Sequence, residues 1–377
     1  MTDSQTVLSP GLLDLLPAPE PYAVVIPDGP DADAPPVGTL SPPVSRSVIA
    51  RVLRRYRAGR VLEAQPVAEG LLNRGYRVTT STGGYFLKCY VEQATATRAA
   101  ITAQHRATGA LHARGLPTPP PLADRAGRTV VDCAGRRFAL YPWVTGNHLT
   151  GAELGLSQCA ELGALLARLH GALTQVCAPV VQPLALPTAD PHRTTVLIGE
   201  LTGLVRRRRP YDAFDRLAER RLAERAELLA AHRHRRPAPV AVGPSGWVHG
   251  DFHGLNLLYR EGRVAAVLDW DRLRVRPRGE EVVRAATLIF NDRVGGELDL
   301  ARVRRYARAY RQAAGAPAAE LAAAVHRVWW ERLNDFWMLQ WRYQRADPRA
   351  DPLFPAAAAQ TAWWCQEYEQ VLDAFTN

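Results

Sequence analysis

The chain has a single lysine, two methionines and five cysteines among 377 residues. No apolar run reaches the ~18 residues a bilayer-crossing helix needs, so neither a membrane span nor a membrane partner is expected. The opening Met-Thr-Asp-Ser-Gln lacks the basic stretch and apolar core of a secretory signal. Cys89, Cys133, Cys159, Cys177 and Cys365 are scattered, odd in number and without metal-ligand spacing. Reduced thiols in a cytoplasm are therefore the expectation.

Basic residues are in excess, with a formal net charge of +10. Such a balance invites nucleic acid, but the arginines are spread along the chain and their main cluster is Arg206–Arg209. No aromatic-interleaved basic module accompanies them, so no nucleic-acid partner is expected. Apolar content of 47% and charged content of 22% are ordinary for a globular protein. The length is enough for two lobes or domains, each with a core.

Scarcity makes Lys88 informative. Every other Lys or Arg position holds arginine, and the richness in Arg, Ala and Pro suggests a GC-rich genome that has drifted from lysine to arginine. The position that kept lysine is then one where a slim ammonium serves and a planar guanidinium does not. Lys88 lies in Tyr85-Phe86-Leu87-Lys88-Cys89-Tyr90, a strand pattern in which a buried charge needs a partner.

Residues 1–45 are rich in Pro, Asp and Gly and read as a flexible or loosely docked extension. A short amphipathic helix is expected over 48–57, and strands over 61–67, 76–80 and 85–91. Ser81-Thr82-Gly83-Gly84 reads as the hairpin turn between the last two. A helix over 94–114 ends at Gly115, and strands over 129–133 and 137–141 run into Tyr141-Pro142-Trp143-Val144-Thr145-Gly146. From about 150 onward helices dominate: 159–171, a pair within 194–232, then 280–290, 299–314, 317–345 and 356–375.

The richest chemistry lies between 249 and 271. His249-Gly250-Asp251-Phe252-His253-Gly254-Leu255-Asn256 precedes a hairpin, 257–259 with 264–268, that ends at Asp269. Phosphoryl transfer needs a group to position the nucleophile, oxygen ligands for a hard cation, and positive charge on the phosphates. Asp251 can take a proton from an acceptor hydroxyl. Asn256 and Asp269 offer a carbonyl and a carboxylate to a metal.

The segment resembles the catalytic loop and metal-binding strand of the aminoglycoside phosphotransferase and choline kinase families. Their loop reads roughly HGDxHxxN, and His249, Gly250, Asp251, His253 and Asn256 match it, as does Asp269 after its strand. The resemblance implies an α+β, bilobal protein-kinase-like fold: a small antiparallel β-sheet N-lobe over 46–144, nucleotide-binding, and a larger, mostly helical C-lobe over 145–377 with the catalytic loop and acceptor site. It implies Mg2+ on Asn256 and Asp269, ATP or GTP as donor, and a small hydroxylated acceptor as partner. Lys88 would bind the phosphates. The loop 69–75, including Asn73, would cover them, and His253 can approach them. Tyr141, Trp143 and Val144 would meet the purine. Kinases pair the strand lysine with a Glu on the next helix; here the register points to Gln104, a departure, with Glu92 as the other candidate. His249 and His170 read as structural. Glu331 and Asp335, four apart on one helix, would either hold an amino or sugar substrate or form a solvated face.

Three readings follow. The first is an O-phosphotransferase acting on an antibiotic, whether an aminoglycoside, a nucleoside or another sugar-bearing compound, in resistance or biosynthesis. The second is a metabolic kinase of homoserine, choline or sugar type, since 73–80 and 113–119 resemble homoserine kinases of this fold. The third is a non-catalytic nucleotide-binding pseudokinase, for which only Gln104 speaks. Oligomeric state is not legible in the sequence.

Overall fold

A computed structural model describes residues 43–67, 73–91, 96–182, 184, 186–240, 243–292 and 295–377. Residues 1–42, the 69–72 part of the expected phosphate-covering loop, and Glu92 lie outside the described residues. The chain divides into two units. One contains Val44–Trp143 and Gly171–Val180; the other contains Val144–His170 and Val181–Asn377.

The first unit is built on a five-stranded antiparallel sheet in the order β1-β2-β3-β5-β4. The strands are β1 (Val61–Val67), β2 (Arg74–Thr80), β3 (Gly83–Tyr90), β4 (Val131–Cys133) and β5 (Arg136–Pro142). Strand alternation sends Leu87 and Cys89 to one face and Phe86, Lys88 and Tyr90 to the other. On the first face, Val78, Leu87, Phe138 and Leu140 pack with Ile49, Val52 and Leu53 of helix α1 (Arg46–Leu53). On the second, Tyr90 and Ala139 pack with Ile101 of helix α2 (Arg98–Ala113). Thr97 starts α2 by accepting the Ala100 N–H at 3.2 Å. Gly75 stands opposite Lys88. A Cβ there would come within 2.6 Å of the Phe86 ring, so the close approach requires glycine.

The second unit is mostly helical. Helix α3 (Leu156–Val176) begins in it, followed by α4 (Pro191–Arg207) and α5 (Ala213–His232). Strand β6 (Ser245–Val248), the hairpin of β7 (Leu257–Arg260) and β8 (Arg263–Val267), and β9 (Arg274–Pro277) then surround the loop at 249–256. Helices α6 (Arg278–Ile289), α7 (Leu300–Ala314), α8 (Ala318–Asn334), α9 (Trp337–Gln344), α10 (Phe354–Gln366) and α11 (Tyr368–Thr376) complete it. Its core includes the fully buried Trp329, Trp330, Trp341 and Trp364.

Two expectations are corrected here. The single helix expected over 317–345 is two, because Asp335 is extended (φ −99°, ψ 127°) and its carboxylate accepts the Trp337 N–H at 3.1 Å. Glu331 and Asp335 therefore do not share a face of one helix. The segment expected as one helix over 356–375 also breaks, at Glu367. The antiparallel pair β6–β9, with Val248 opposite Arg274 and Gly246 opposite Arg276, was not expected at all.

Candidate active site

The loop after β6 is held from beneath by one carboxylate. Glu281, buried on α6, accepts the backbone N–H of His249 at 3.1 Å and that of Gly250. Its other partner is His170 Nε2 at 2.7 Å, whose Nδ1 meets the Tyr310 hydroxyl at 2.9 Å. Burial pushes the Glu281 carboxyl up, but the hydrogen bond and charge of His170 outweigh it and leave the group below its ordinary value. His170, read from sequence as structural, thus anchors the loop through Glu281.

His249 is also buried, its ring 4.5 Å from that of Trp270. Nδ1 accepts the Asp251 N–H at 3.2 Å, so Nε2 carries the hydrogen and donates it to the Leu268 carbonyl at 2.8 Å. Burial lowers its pKa, in keeping with a neutral ring. Gly250 lies at φ +83°, and a Cβ there would fall 2.1 Å from the Arg272 carbonyl oxygen. Only glycine fits both constraints.

These constraints aim Asp251. Burial raises its pKa, yet the nearby His253 and the charge of Arg272 prevail and hold it at about 2. His253 Nδ1 accepts the Leu255 N–H at 3.3 Å, and its Nε2 lies 3.2 Å from the Asn256 amide nitrogen and 3.6 Å from Asp251 Oδ2. The Asn256 amide nitrogen donates to the Asp251 carbonyl at 2.9 Å, which leaves the amide oxygen as that side chain's acceptor. The Leu268 N–H donates to the Asn256 carbonyl at 2.8 Å and ties the end of β8 to the loop. The next residue, the exposed Asp269, adopts φ +55°, ψ 71°, a left-handed conformation that Asp tolerates better than most residues. An amide oxygen and a carboxylate suit a hard cation that keeps waters and phosphate oxygens as its other ligands. Among the described residues no cluster of His, Cys, Asp and Glu would hold a metal by protein groups alone.

In the first unit, Lys88 is buried with its ammonium 5.2 Å above the Tyr90 ring. Next to the partly buried Gln104, helix α2 also buries His105. Its Nε2 lies 3.0 Å from the Tyr141 hydroxyl and 3.3 Å from that of Tyr90, and its Nδ1 lies 2.8 Å from Thr129 Oγ1. Burial first, and the Lys88 charge second, push its pKa down to about 3. A neutral imidazole–tyrosine network thus occupies the helix side of Lys88. Asn73 Oδ1 accepts the Val91 N–H at 3.3 Å. The Trp143 N–H donates to Gly84 at 3.1 Å and its ring carries Arg77 at 4.7 Å, while Val144 is partly buried.

The sequence reading did not single out Glu281, His105 or the arginines of β9. Glu280-Glu281 looks like ordinary acidic decoration of a helix start. Arg272, Arg274 and Arg276 alternate with Leu273 and Val275, which is a strand signature.

An antiparallel sheet unit, a largely helical unit and a loop of this geometry define a kinase-like phosphotransferase fold. Residues 63–320 match the model of the Phosphotransferase enzyme family, and the chain belongs to that family. It is similar to the homoserine kinase of Afipia carboxidovorans, 31% identical over 127 residues, 34% of this chain and 38% of the relative. That match thus spans well under half of the relative's own length. A longer match, to the homoserine kinase of Methylobacillus flagellatus, is 26% identical over 309 residues, 79% of this chain and 87% of the relative. Among solved structures, a spectinomycin phosphotransferase in complex with ADP and spectinomycin aligns with a TM-score of 0.59 at 15% identity, covering 86% of this chain and all of that one. At that identity the likeness is one of fold.

Proposed function

We propose that this protein transfers the γ-phosphoryl group of a nucleoside triphosphate to a hydroxyl of a small molecule. The acceptor oxygen bonds to the γ-phosphorus, the bond from that phosphorus to the β,γ-bridging oxygen breaks, and the nucleoside diphosphate leaves. Asp251 orients the hydroxyl and takes its proton. A carboxylate held at about pKa 2 is a weak base, which suits a loose transition state in which the proton moves late. Asn256 and Asp269 hold Mg2+, which when bound supplies positive charge to the phosphate oxygens. Lys88 supplies the lone side-chain ammonium to the phosphates, and His253 keeps Asp251 ionised.

The observation that carries this reading is the tie between Asp251 and Asn256, closed by the Asn256 amide at 2.9 Å in a loop fixed by Glu281. A proton acceptor and an oxygen ligand are set side by side before substrate arrives.

For the acceptor, we favour a metabolic alcohol over an antibiotic. The relatives described above are homoserine kinases, and the net charge of +10 suits a polycationic aminoglycoside poorly. The test is a panel of hydroxy amino acids, amino alcohols, sugars and hydroxylated antibiotics incubated with ATP or GTP and Mg2+. The expected result is a mass gain of one phosphate on a member of the first three classes. Gain on an antibiotic alone would reverse the preference, and no gain on any compound would count against phosphotransfer.

A further inference from the structure

The segment before β6, the start of α6, the end of α7 and the start of α8 enclose a cavity of about 350 Å³, a size typical of small-molecule sites. Every residue lining it belongs to the second unit, and none comes from the 249–272 segment. Pro244, Ala314, Ala316 and Pro317 give it apolar walls, and Glu320 of α8 puts a carboxylate among them. A glutamate in the first turn of a helix ordinarily favours the dipole from the solvent side. Glu320 is instead only 6% exposed. The backbone packs closely on it: a Cβ at Gly243, where φ is +92°, would fall 2.7 Å from the Glu320 Cγ, so that position requires glycine.

The Glu320 carboxylate makes no hydrogen bond or ion pair with any described residue. Helix α8 has no side-chain cap, so the carboxylate does not serve the helix start either. Burial raises its pKa, and the charge of Arg278, which lines the same cavity, opposes this without prevailing. A desolvated carboxylate that accepts no hydrogen bond is unfavourable, and a ligand that brings a donor into the cavity relieves it. A compact ammonium does so with charge assistance. The apolar walls suit a short aliphatic body on the same molecule.

We infer that this cavity is a second binding site, for a small aliphatic molecule whose primary ammonium pairs with Glu320. The charge of Arg278 on the same wall favours an α-amino acid over a simple amine, because a carboxylate beside the ammonium answers it. The cavity also borders the support of the Asp251 loop. Tyr310 lines it, and the Tyr310 hydroxyl meets His170 Nδ1 at 2.9 Å. His170 in turn bonds Glu281, which holds the backbone of His249 and Gly250. A ligand here sits against that chain of bonds, and its binding stands apart from turnover.

The test uses the full chain and four probes of similar shape in ligand-observed NMR titrations without nucleotide: isobutylamine, valine, isobutanol and isobutyrate. The expected result is binding of isobutylamine or valine at least about tenfold tighter than isobutanol and isobutyrate, the margin of a charge-assisted hydrogen bond. Valine the tighter of the two marks an α-amino acid, and isobutylamine the tighter marks a simple amine. Glu320→Gln is expected to weaken the ammonium probes at least about tenfold and Asp251→Asn to leave them unchanged. Should Glu320→Gln fold poorly, Ala319→Leu at an exposed position of the cavity wall decides, with weaker binding of both ammonium probes expected. Ammonium probes within tenfold of isobutanol, no binding, or unchanged affinity in the folded variant that decides would overturn the site. Loss of ammonium binding in Asp251→Asn would place the probes at the loop and overturn it as well. Failure of every alcohol in the acceptor panel bears on the phosphotransfer reading and not on this cavity.

Discussion

His170 Nε2 and a Glu281 carboxylate oxygen lie 2.7 Å apart in the core of the helical unit, and Glu281 in turn holds the backbone of His249 and Gly250. The ionised carboxylate is a buried charge whose partners are one imidazole and the loop that carries Asp251. Removing it by Glu281→Ala leaves those donors buried and unbonded and is expected to destabilise the protein by about 3–5 kcal/mol in urea melts. Glu281→Gln keeps the shape and is expected to lower kcat on the order of a hundredfold through misplacement of Asp251, with the nucleotide KM little changed.

On the phosphotransfer reading, the loss of Asp251 costs activity more than stability. Asp251→Asn is expected to lower kcat by a factor of about 10²–10⁴ while thermal melting shifts little. The folded pKa of about 2 lies below the ordinary 3.8. The stability this carboxylate contributes is therefore fully present above pH 3.8 and is lost as pH falls toward 2. No acid limb of kcat above about pH 3 should trace to Asp251, and a pH–rate profile checks this.

The left-handed Gly250 gives a sharper structural test. An added methyl meets the Arg272 carbonyl at 2.1 Å, whereas at Gly254 in the same loop the nearest atom is 3.4 Å away. Gly250→Ala is expected to cost at least about 2 kcal/mol and most of the activity. Gly254→Ala is expected to stay within about 0.5 kcal/mol of the parent. Paired denaturation curves measure the contrast.

How much of this was legible in the sequence depends on how local each feature is. His249, Asp251, His253, Asn256 and Asp269 sit within one loop and one hairpin, so their spacing alone predicts a shared site. The five strands of the first unit were legible because alternation and a Gly-Gly turn are local signals. Glu281 was not, because its role comes from meeting a loop some thirty residues earlier and a histidine on another helix. His105 was missed because its role comes from meeting Tyr90, Tyr141 and Thr129 on three other segments, which no local pattern announces. The break at Asp335 was hidden because Trp, Leu and Arg continue a helical pattern on both sides, while a single side chain–backbone bond decides the turn.

His105 makes the first unit acid-sensitive. Its folded pKa of about 3 lies below the ordinary 6.5, so its contribution is complete above pH 6.5 and declines as pH falls toward 3. Within that window it contributes a slope of about 1.4 kcal/mol per pH unit. Urea melts from pH 7 to pH 5 are expected to show a shallower decline for His105→Gln than for the parent. Equal slopes would mean that the imidazole is not held neutral.

The central claim is that the γ-phosphoryl group reaches an alcohol oxygen at Asp251. The most direct measurement follows ATP carrying oxygen-18 on its γ-phosphoryl group, by phosphorus NMR, with the acceptor found in the panel, for the parent and Asp251→Asn. The expected result is label in a phosphate ester formed by the parent and almost none formed by the variant. Label appearing only in inorganic phosphate, or ester formed by Asp251→Asn at the parent rate, would contradict the account.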